Sequence, residues 1–337
     1  MTDLVPIRRA LISVSDKNDL IPFARGLVER GIEIISTGGT HRALTKAGLS
    51  PIAVETLTGF PEMMDGRVKT LHPTIHGGIL ARRDMASHVA AMAKHDIQPI
   101  DIVCVNLYPF EQTIRQDEAT TDEAIEQIDI GGPSMVRSAA KNHDFVTVVT
   151  DPSQYDRVIG ELDSNDGCTT FELRRDLATA AFARTAEYDA TIAAWMSGTT
   201  SARFPSVLRL NFVGQQQLRY GENPHQDGAV YRDPDFQGPS VTSAKMISGK
   251  ALSYNNLLDA ASALEIVQDL HDIDSGRCAS AVIKHTNPCG AGVSDTLSGA
   301  FDLAYAGDPL AAYGGIVALS GPVDRATAES IVAGGRF

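Results

Sequence analysis

Short apolar runs and longer amphipathic stretches alternate through the first half of the chain. Residues 10–14 (ALISV) form an apolar run of strand length. Over residues 18–30, Leu20, Phe23, Ala24, Leu27 and Val28 recur at the spacing of one helix face, which predicts a helix. Residues 32–35, 102–107 and 145–149 are three more apolar strands, with helical segments between them. Strand and helix in turn predict an α/β domain whose parallel sheet is covered on both faces. Ligands of such sheets bind beyond the carboxyl ends of the strands.

Residues 169–196 read as one long helix, with Phe171, Leu173, Leu177, Ala181, Ala186 and Ile192 at its apolar positions. Ser197-Gly198-Thr199-Thr200-Ser201 breaks that pattern with small polar residues and marks a linker. Two domains are therefore expected, over residues 1–199 and 200–337. In the second, helices are predicted over 257–270, with Asp259 in the first turn, and over 300–306. Residues 278–283 read as a buried strand, and 312–319 as a loop entering a strand. The chain stops at Phe337 inside a helix-like segment without cap or polar tail, so a fragment of a longer protein is expected.

A length of 337 residues suits roughly two domains, each with its own core. The formal charge of −13 argues against non-specific binding to nucleic acid or anionic membranes, because both need basic surface. A small anionic substrate needs only a local cluster of Lys and Arg. No apolar run reaches the ~18 residues of a membrane span, and residues 1–6 lack signal-peptide architecture. Cys104, Cys168, Cys278 and Cys289 are far apart and form no Cys-x-x-Cys pair. That pattern points to a reducing cytoplasm, with neither a disulfide framework nor structural zinc.

The candidate chemistry sits at the strand ends. The first strand leads into Ser15-Asp16-Lys17, and the second into Ser36-Thr37-Gly38-Gly39-Thr40 and a new helix. Two glycines let backbone approach a ligand closely, and a helix start offers free N–H groups to an anion. An ordinary strand-to-helix turn uses the same residues. Arg67-Val68-Lys69-Thr70-Leu71-His72-Pro73 and His76-Gly77-Gly78 gather two cations and two imidazoles in what the glycines and proline make a loop. Asn106-Leu107-Tyr108 closes a strand with an amide and a phenol. Asp129-Ile130-Gly131-Gly132 opens a helix carrying Arg137 and Lys141 on one face. Each segment alone also fits turn chemistry or solvated charge; together they favour one anion-lined cleft.

In the second half, Leu218-Arg219-Tyr220-Gly221-Glu222-Asn223-Pro224-His225-Gln226 suits recognition of a phosphate and a polar ring. The strand 278–283 ends in Lys284-His285, followed by a Thr286-Asn287-Pro288-Cys289-Gly290 turn. His titrates near neutral pH and can take a proton; Lys can stabilise developing negative charge. A solvated strand end is the plainer reading of that pair.

Nine segments in order, SVSDK, ISTGGT, GRVKTLHPTIHGGIL, VNLYPF, IDIGGPSMVRSAAKN, LRYGENPHQ, LSYNNLLDA, VIKHTNPCG and AYGGIVAL, span residues 13 to 319. With them the chain closely resembles the bifunctional purine-biosynthesis family AICAR transformylase/IMP cyclohydrolase. The resemblance implies a methylglyoxal-synthase-like domain over 1–199. Over 200–337 it implies an incomplete first subdomain of a transformylase built from two cytidine-deaminase-like subdomains. It implies formyl transfer from 10-formyltetrahydrofolate to AICAR, then dehydrative closure of formyl-AICAR to IMP, with no metal in either step.

By that resemblance Lys69, Tyr108, Asp129 and Lys141 carry ring closure. Ser15, Lys17, Ser36, Thr37, Gly38, Gly39, Thr40, Arg67, Thr70, Asn106 and Gly131 bind its substrate. In the transformylase His285 is the base and Lys284 its electrostatic partner. Arg219 and Tyr220 hold the phosphate, with Asn223, His225 and Gly314 also at the substrate. The family implies a homodimer in the cytoplasm acting on nucleotides and folate. The cyclohydrolase site is expected intact, and the transformylase site incomplete.

Two other readings compete. A zinc nucleoside deaminase needs Pro-Cys-x-x-Cys and His-x-Glu. Here Pro288-Cys289 is followed by Gly at 292, and 285–287 is His-Thr-Asn. A non-catalytic domain that senses a phosphorylated metabolite fits the phosphate loops, but Lys69, Tyr108, Asp129 and Lys141 beside them favour catalysis.

Overall fold

The computed structural model describes residues 3–61, 63–64, 67–116, 119–198, 207–234 and 236–333. The chain divides into two compact units, Met1–Arg209 and Leu210–Phe337. The boundary expected at 199/200, part of the expected linker and the chain end at Phe337 lie outside the described residues.

The first unit opens with β1 (Leu4–Pro6), β2 (Arg9–Val14), α1 (Leu20–Glu29), β3 (Glu33–Ser36), α2 (Gly38–Lys46) and β4 (Ile52–Ala53). It continues with α3 (Val54–Thr58), α4 (Pro73–Leu80), α5 (Ala86–Lys94), β5 (Ile102–Asn106), α6 (Phe110–Thr113) and α7 (Thr121–Glu126). Then follow α8 (Gly131–Lys141), β6 (Thr147–Val149), α9 (Tyr155–Ser164), β7 (Cys168–Thr170) and α10 (Phe171–Gly198).

Five strands form one parallel sheet in the order β4-β3-β2-β5-β6. β2 lies in the middle, with Ala10 opposite Ile34 of β3 and Ile102 of β5. Its Ala10, Leu11 and Ile12 are fully buried, as a strand covered on both faces requires. The chain runs outward from β2 to β3 and β4, then returns to β5 on the other side. The crevice between β2 and β5 is thus the point where strand order reverses.

Three expectations change here. Val28 is 44% exposed although Leu20, Phe23, Ala24 and Leu27 are buried. It lies about 80° round the helix from Leu20, at the margin of the apolar stripe. The long helix begins at Phe171, because Thr169 and Thr170 pair with β1 as part of β7. Its buried face runs through Leu177, Ala181, Thr185 and Tyr188, leaving Ala186 exposed. Residues 73–80, expected as loop, are α4: Pro73 takes the first helical position and His72 Nδ1 accepts from the Thr74 N–H at 3.2 Å. Gly78 serves close packing there, since a Cβ would meet Gln98 O at 2.6 Å.

The amino-terminal edge of the sheet is closed by Asp101. Its Oδ2 accepts from the Arg8 and Arg9 N–H groups at 2.8 and 2.9 Å, and its Oδ1 is 2.7 Å from Arg83 Nη1. The carboxylate is buried, so these partners replace the water it lost.

The second unit contains β8 (Val213–Gln217), β9 (Ala229–Arg232), α11 (Tyr254–Ile273), β10 (Cys278–Lys284) and β11 (Asn287–Ser294). α12 (Leu297–Gly307), α13 (Pro309–Ala312), β12 (Ile316–Leu319) and α14 (Arg325–Val332) follow. An antiparallel sheet β11-β10-β12 forms its centre. Successive β10 residues face opposite sides: Ala279, Ala281 and Ile283 pack with Ala263 and Val267 of α11, and Val282 packs with Phe301 and Ala304 of α12. α11 starts at Tyr254 rather than 257, because Ser253 and Asn256 form a capping box; Asp259 therefore falls beyond the first turn. The expected turn at 286–290 is only two residues wide, and Asn287 onward belongs to β11.

Among the described residues no helix is long and apolar enough to cross a membrane. Cys104, Cys168, Cys278 and Cys289 are free thiols.

Asp101→Ala would leave two backbone N–H groups without their acceptor and the Arg83 guanidinium without its counter-charge, with only the Ile100 O bond from Nη2 at 2.9 Å remaining. The substitution is expected to lower unfolding free energy by about 3 kcal/mol or more, read as a lower urea midpoint. An unchanged midpoint would mean that solvent already satisfies Arg83.

Candidate active site

The carboxyl ends of β2, β3 and β5 open on a cleft of about 590 Å³. Past β2 come Ser15 and Lys17; past β3, Thr37, Gly39 and Thr40; at the end of β5 and past it, Asn106 and Tyr108. The stretch before α4 adds Arg67, Lys69 and Thr70, the α7–α8 connection adds Asp129, and the start of α8 adds Gly131. The sequence candidates from five separate segments thus line one concavity.

Three candidates of this unit do not line it. Ser36 is fully buried and donates its hydroxyl to Ile12 O at 2.7 Å, tying β3 to β2. Gly38 begins α2 with φ 44°, and a Cβ there would stand 3.0 Å from Lys69 Nζ. Lys141 is exposed in the last turn of α8, ten residues past Gly131 and hence roughly 15 Å along the helix. The two imidazoles are also engaged elsewhere. His72 caps α4, and His76 Nδ1 lies 3.2 Å from Ser138 Oγ on α8. Burial pulls the His76 pKa down.

The loops are held by the side chains that the strand ends supply. Asn106 Oδ1 accepts from Ser15 N, Ser15 Oγ and Asp16 N at 2.6, 2.9 and 3.0 Å. Thr40 Oγ1 accepts from Val14 N at 3.0 Å and donates to Val14 O at 2.9 Å. Ser13 and Thr37 hydroxyls meet at 2.9 Å. These bonds fix the β2 and β3 exits against one another. The first-turn N–H groups of α2 lack partners within the helix and carry its positive dipole end. A Cβ on Gly39 would lie 3.9 Å from Lys17 Nζ and 3.8 Å from Arg42 Nη2. A helix start flanked by two cations suits a phosphate. Arg42 escaped the sequence reading, although its place two residues past Thr40 in a helix start was a usable signal.

Asp129 forms the other part of the site. Its Oδ1 accepts from Gly132 N at 2.9 Å. Desolvation raises its carboxyl pKa; the N–H groups of Gly132, Tyr108 and Gly131 and the charge of Lys69 oppose that rise. The carboxylate therefore joins the β5 exit to the start of α8. A Cβ on Gly132 would overlap Asp129 Oδ2, and one on Gly131 would stand 2.6 Å from Thr70 Oγ1. Both glycines leave room for the acid and the hydroxyl. Arg67 forms an ion pair with Glu126, and the exposed Ile125 and Ile130 give the cleft an apolar margin. Tyr188, another residue the sequence reading passed over, reaches this region from α10: its Oη accepts from Asp129 N at 2.9 Å.

In the second unit, Lys284 ends β10 and His285-Thr286 form the two-residue turn into β11, both at positive φ (56° and 60°). This is the backbone of a tight hairpin turn, and a β-branched Thr rarely adopts it. Three bonds restrain it. Thr286 N donates to Asp259 Oδ1 at 2.7 Å, Asn287 Nδ2 to His285 O at 2.8 Å, and Lys284 Nζ to Tyr313 O at 2.9 Å. Four residues before Asp259, Asn255 Nδ2 reaches Glu222 O at 3.4 Å. One face of α11 therefore touches both the hairpin and the 218–226 loop. In that loop Arg219 lies over the Tyr220 ring at 5.8 Å, Asn223 and His225 are exposed, and Gln226 O accepts from Gly221 N at 2.7 Å. Gly314 is exposed, with φ 70°, beside Tyr313. A cavity of about 130 Å³ in this unit is lined instead by Tyr231, Phe236, Ser240 and Thr242. Among the described residues no three His, Cys, Asp or Glu side chains gather so as to hold a metal ion.

Residues 139–334 match the family described as AICARFT/IMPCHase bienzyme, and residues 19–134 match the MGS-like domain family. The bifunctional purine biosynthesis protein PurH of Listeria innocua serovar 6a is 54% identical over 323 residues, 96% of this chain and 62% of that protein. The PurH protein of Lacticaseibacillus casei is 52% identical over 325 residues, again 96% and 62%. The crystal structure of ForH is similar at a TM-score of 0.50 and 38% identity, covering 56% of this chain and 97% of that one. The chain thus spans 62% of the length of these curated relatives.

The raised Asp129 pKa has a consequence for stability. The folded state holds this proton more tightly than the unfolded chain, whose carboxyl titrates near 3.8. Stability is therefore lost as pH rises from that value through the folded pKa, and the deficit persists at pH 7. Asp129→Asn keeps an oxygen for Gly132 and removes the charge. The variant is expected to melt higher than the wild type at pH 7, with the gain vanishing below about pH 4. A lower midpoint at pH 7 would mean that the carboxylate stabilises the fold.

Proposed function

The chain belongs to the AICARFT/IMPCHase bienzyme family, and on that premise we propose that its first unit closes the purine ring, converting formyl-AICAR to IMP with loss of water. One observation carries the reading: a single cleft joins a cationic helix start to a half-buried acid with a lysine beside it. The α2 start with Lys17 and Arg42 takes the phosphate. Lys69 stands beside Gly38 and also influences the Asp129 proton, so it connects the phosphate end with the chemistry.

Ring closure is intramolecular, and positioning supplies much of its rate. The carboxamide nitrogen attacks the formyl carbon, and a C–N bond forms as negative charge grows on the formyl oxygen. Asp129 takes the amide proton, for which a carboxylate of raised basicity is suited. Lys69 steadies the developing oxyanion and protonates it; Asp129 then gives its proton to the hydroxyl, which leaves as water while the former formamide nitrogen returns a proton to Lys69 and forms the ring C=N bond. Tyr108, whose backbone N–H points to Asp129, places its phenol at the same wall. The apolar Ile125 and Ile130 flank the ring.

To the second unit we assign only part of a site for formyl transfer from 10-formyltetrahydrofolate to AICAR, since the chain spans 62% of the length of the relatives that carry the bienzyme name. The observation favouring it is the restrained hairpin that carries Lys284 and His285. There His285 accepts the proton of the AICAR amine as the new C–N bond forms, Lys284 faces the tetrahedral oxyanion, and collapse breaks the bond to the folate N10, which takes the proton back from His285. We place the protein in the cytoplasm as a homodimer acting on nucleotides and folate, with no metal in either step.

Lys69→Ala and Asp129→Ala are each expected to lower kcat for ring closure by about 10²-fold or more, followed as IMP absorbance from formyl-AICAR. Near-normal rates in both would move the chemistry to other residues.

Thr40→Asp should weaken IMP binding by about a hundredfold, because it sets a carboxylate beside the phosphate and breaks the clamp on Val14. Thr40→Ser retains the hydroxyl and should bind within a few-fold of wild type. Calorimetry showing equal affinity for Thr40→Asp would remove the phosphate from the α2 start.

A further inference from the structure

Tyr188 is the least expected residue near the cleft. It lies on α10, 59 residues from Asp129 in sequence, and is 1% exposed. A buried phenol needs partners for both its proton and its lone pairs. Tyr188 finds both in one turn: Oη accepts from the Asp129 N–H at 2.9 Å and donates to Gln127 O at 2.9 Å. This turn joins α7 to α8 and carries the carboxylate.

The same helix also holds the Tyr108 segment. Phe110, fully buried two residues after Tyr108, meets the Tyr188 ring edge-on at 6.2 Å and the Trp195 ring at 5.5 Å. Arg184 lies over the Tyr188 ring at 5.8 Å, and its Nη1 is 2.8 Å from Glu111 Oε1 and 3.2 Å from Glu187 Oε2. α10 therefore grips the segments on either side of the acid, one through Phe110 and Glu111 and the other through the Tyr188 hydroxyl.

We infer that Tyr188 is a positioning residue for ring closure, fixing the Asp129 carboxylate through the backbone of its turn, an inference that rests on ring closure being the reaction of this cleft. The carboxylate has little slack, because a Cβ on Gly132 would already overlap it. A small movement of the Asp129 backbone thus changes where the acid points. The MGS-like match ends at residue 134, whereas Tyr188 lies in the stretch matched to the bienzyme family. The brace on the acid therefore comes from chain beyond the MGS-like match.

The test is a double-mutant cycle on ring closure. Tyr188→Phe keeps the ring and its packing and removes both hydrogen bonds. It should lower kcat about tenfold with KM within about twofold, since orientation is lost rather than binding. In an Asp129→Asn background the same change should cost less than about twofold, because the residue acts only through that acid. Tyr155→Phe, which removes another buried phenol of the unit, should leave kcat unchanged. A general loss of packing would instead lower kcat by the same factor in both backgrounds, and that result overturns the inference. Wild-type chain that forms no IMP would overturn the reading of the cleft and the inference with it. Hydrogen exchange on the wild type supplies a check that needs no variant: the Asp129 amide should be protected. Exchange there at an unprotected rate would show that the Tyr188 bond does not form, and would likewise overturn the inference.

Discussion

A parallel ladder makes its strands end on the same side, and β2 is where that constraint acts on this molecule. It bonds to β3 along one edge and β5 along the other, so three chain exits converge at its carboxyl end. Helices cover both faces, so polar groups have only the two edges of the sheet to occupy. The edges are used differently. At the amino-terminal edge, Asp101 binds Arg8, Arg9 and Arg83 and spends its acceptors on closing the structure. At the carboxyl edge, Asn106 and Thr40 fix the exits to one another, Lys17 Nζ donates to Val14 O and Ser15 O at 3.3 Å, and the α2 start lines the cleft. Satisfaction at one edge and residual capacity at the other follow from the same ladder.

Asp129 shows what that capacity costs in stability. Burial disfavours its charge, while three backbone N–H groups and the nearby lysine favour it, and the balance leaves the carboxyl raised. A raised carboxyl is a better base and a poorer contributor to the fold at neutral pH. Gly131 and Gly132 add a second cost, because glycine at a helix start gives up more chain freedom than other residues. Both costs fall on the segment that the candidate chemistry needs, the usual pattern where local rules are broken for function.

The parallel sheet, the long helix and most of the cleft were legible in the sequence, because strand period, helix period and polar strand ends are local signals. Pro73 points two ways: beside the glycines it signals a loop, but proline also suits the first helical position, which it takes here. Ser36 misled in another, since no pattern distinguishes a hydroxyl aimed at a ligand from one bonded to Ile12 O. Tyr188 could not have been found by spacing. On α10 it reads as one more half-polar position, and its role depends on contacts some 60 residues away, which only the folded chain supplies. Arg42 is within reach of local reasoning, as a cation about one turn into the helix that follows the Ser36–Thr40 strand end.

The second unit meets the problem of presenting polar groups without a parallel edge. Its central sheet is antiparallel, so β10 and β11 are joined by two residues, and the apolar strand must hand over to solvent within that span. Alternation places Lys284 on the Val282 side of β10, and the turn that follows forces His285 and Thr286 into left-handed backbone. A branched side chain persists there only when its surroundings over-determine it. Asp259, Asn287 and the Lys284–Tyr313 bond supply that determination. Asp259 comes from α11, the helix that packs against the Ala279, Ala281 and Ile283 face of β10. The apolar packing that sets the height of α11 therefore also sets the position of the carboxylate that holds the turn. Core and candidate chemistry are coupled through one helix in each unit, α10 in the first and α11 in the second. In both, the coupling atom is a side-chain oxygen that accepts a backbone N–H from the segment carrying the candidate residue.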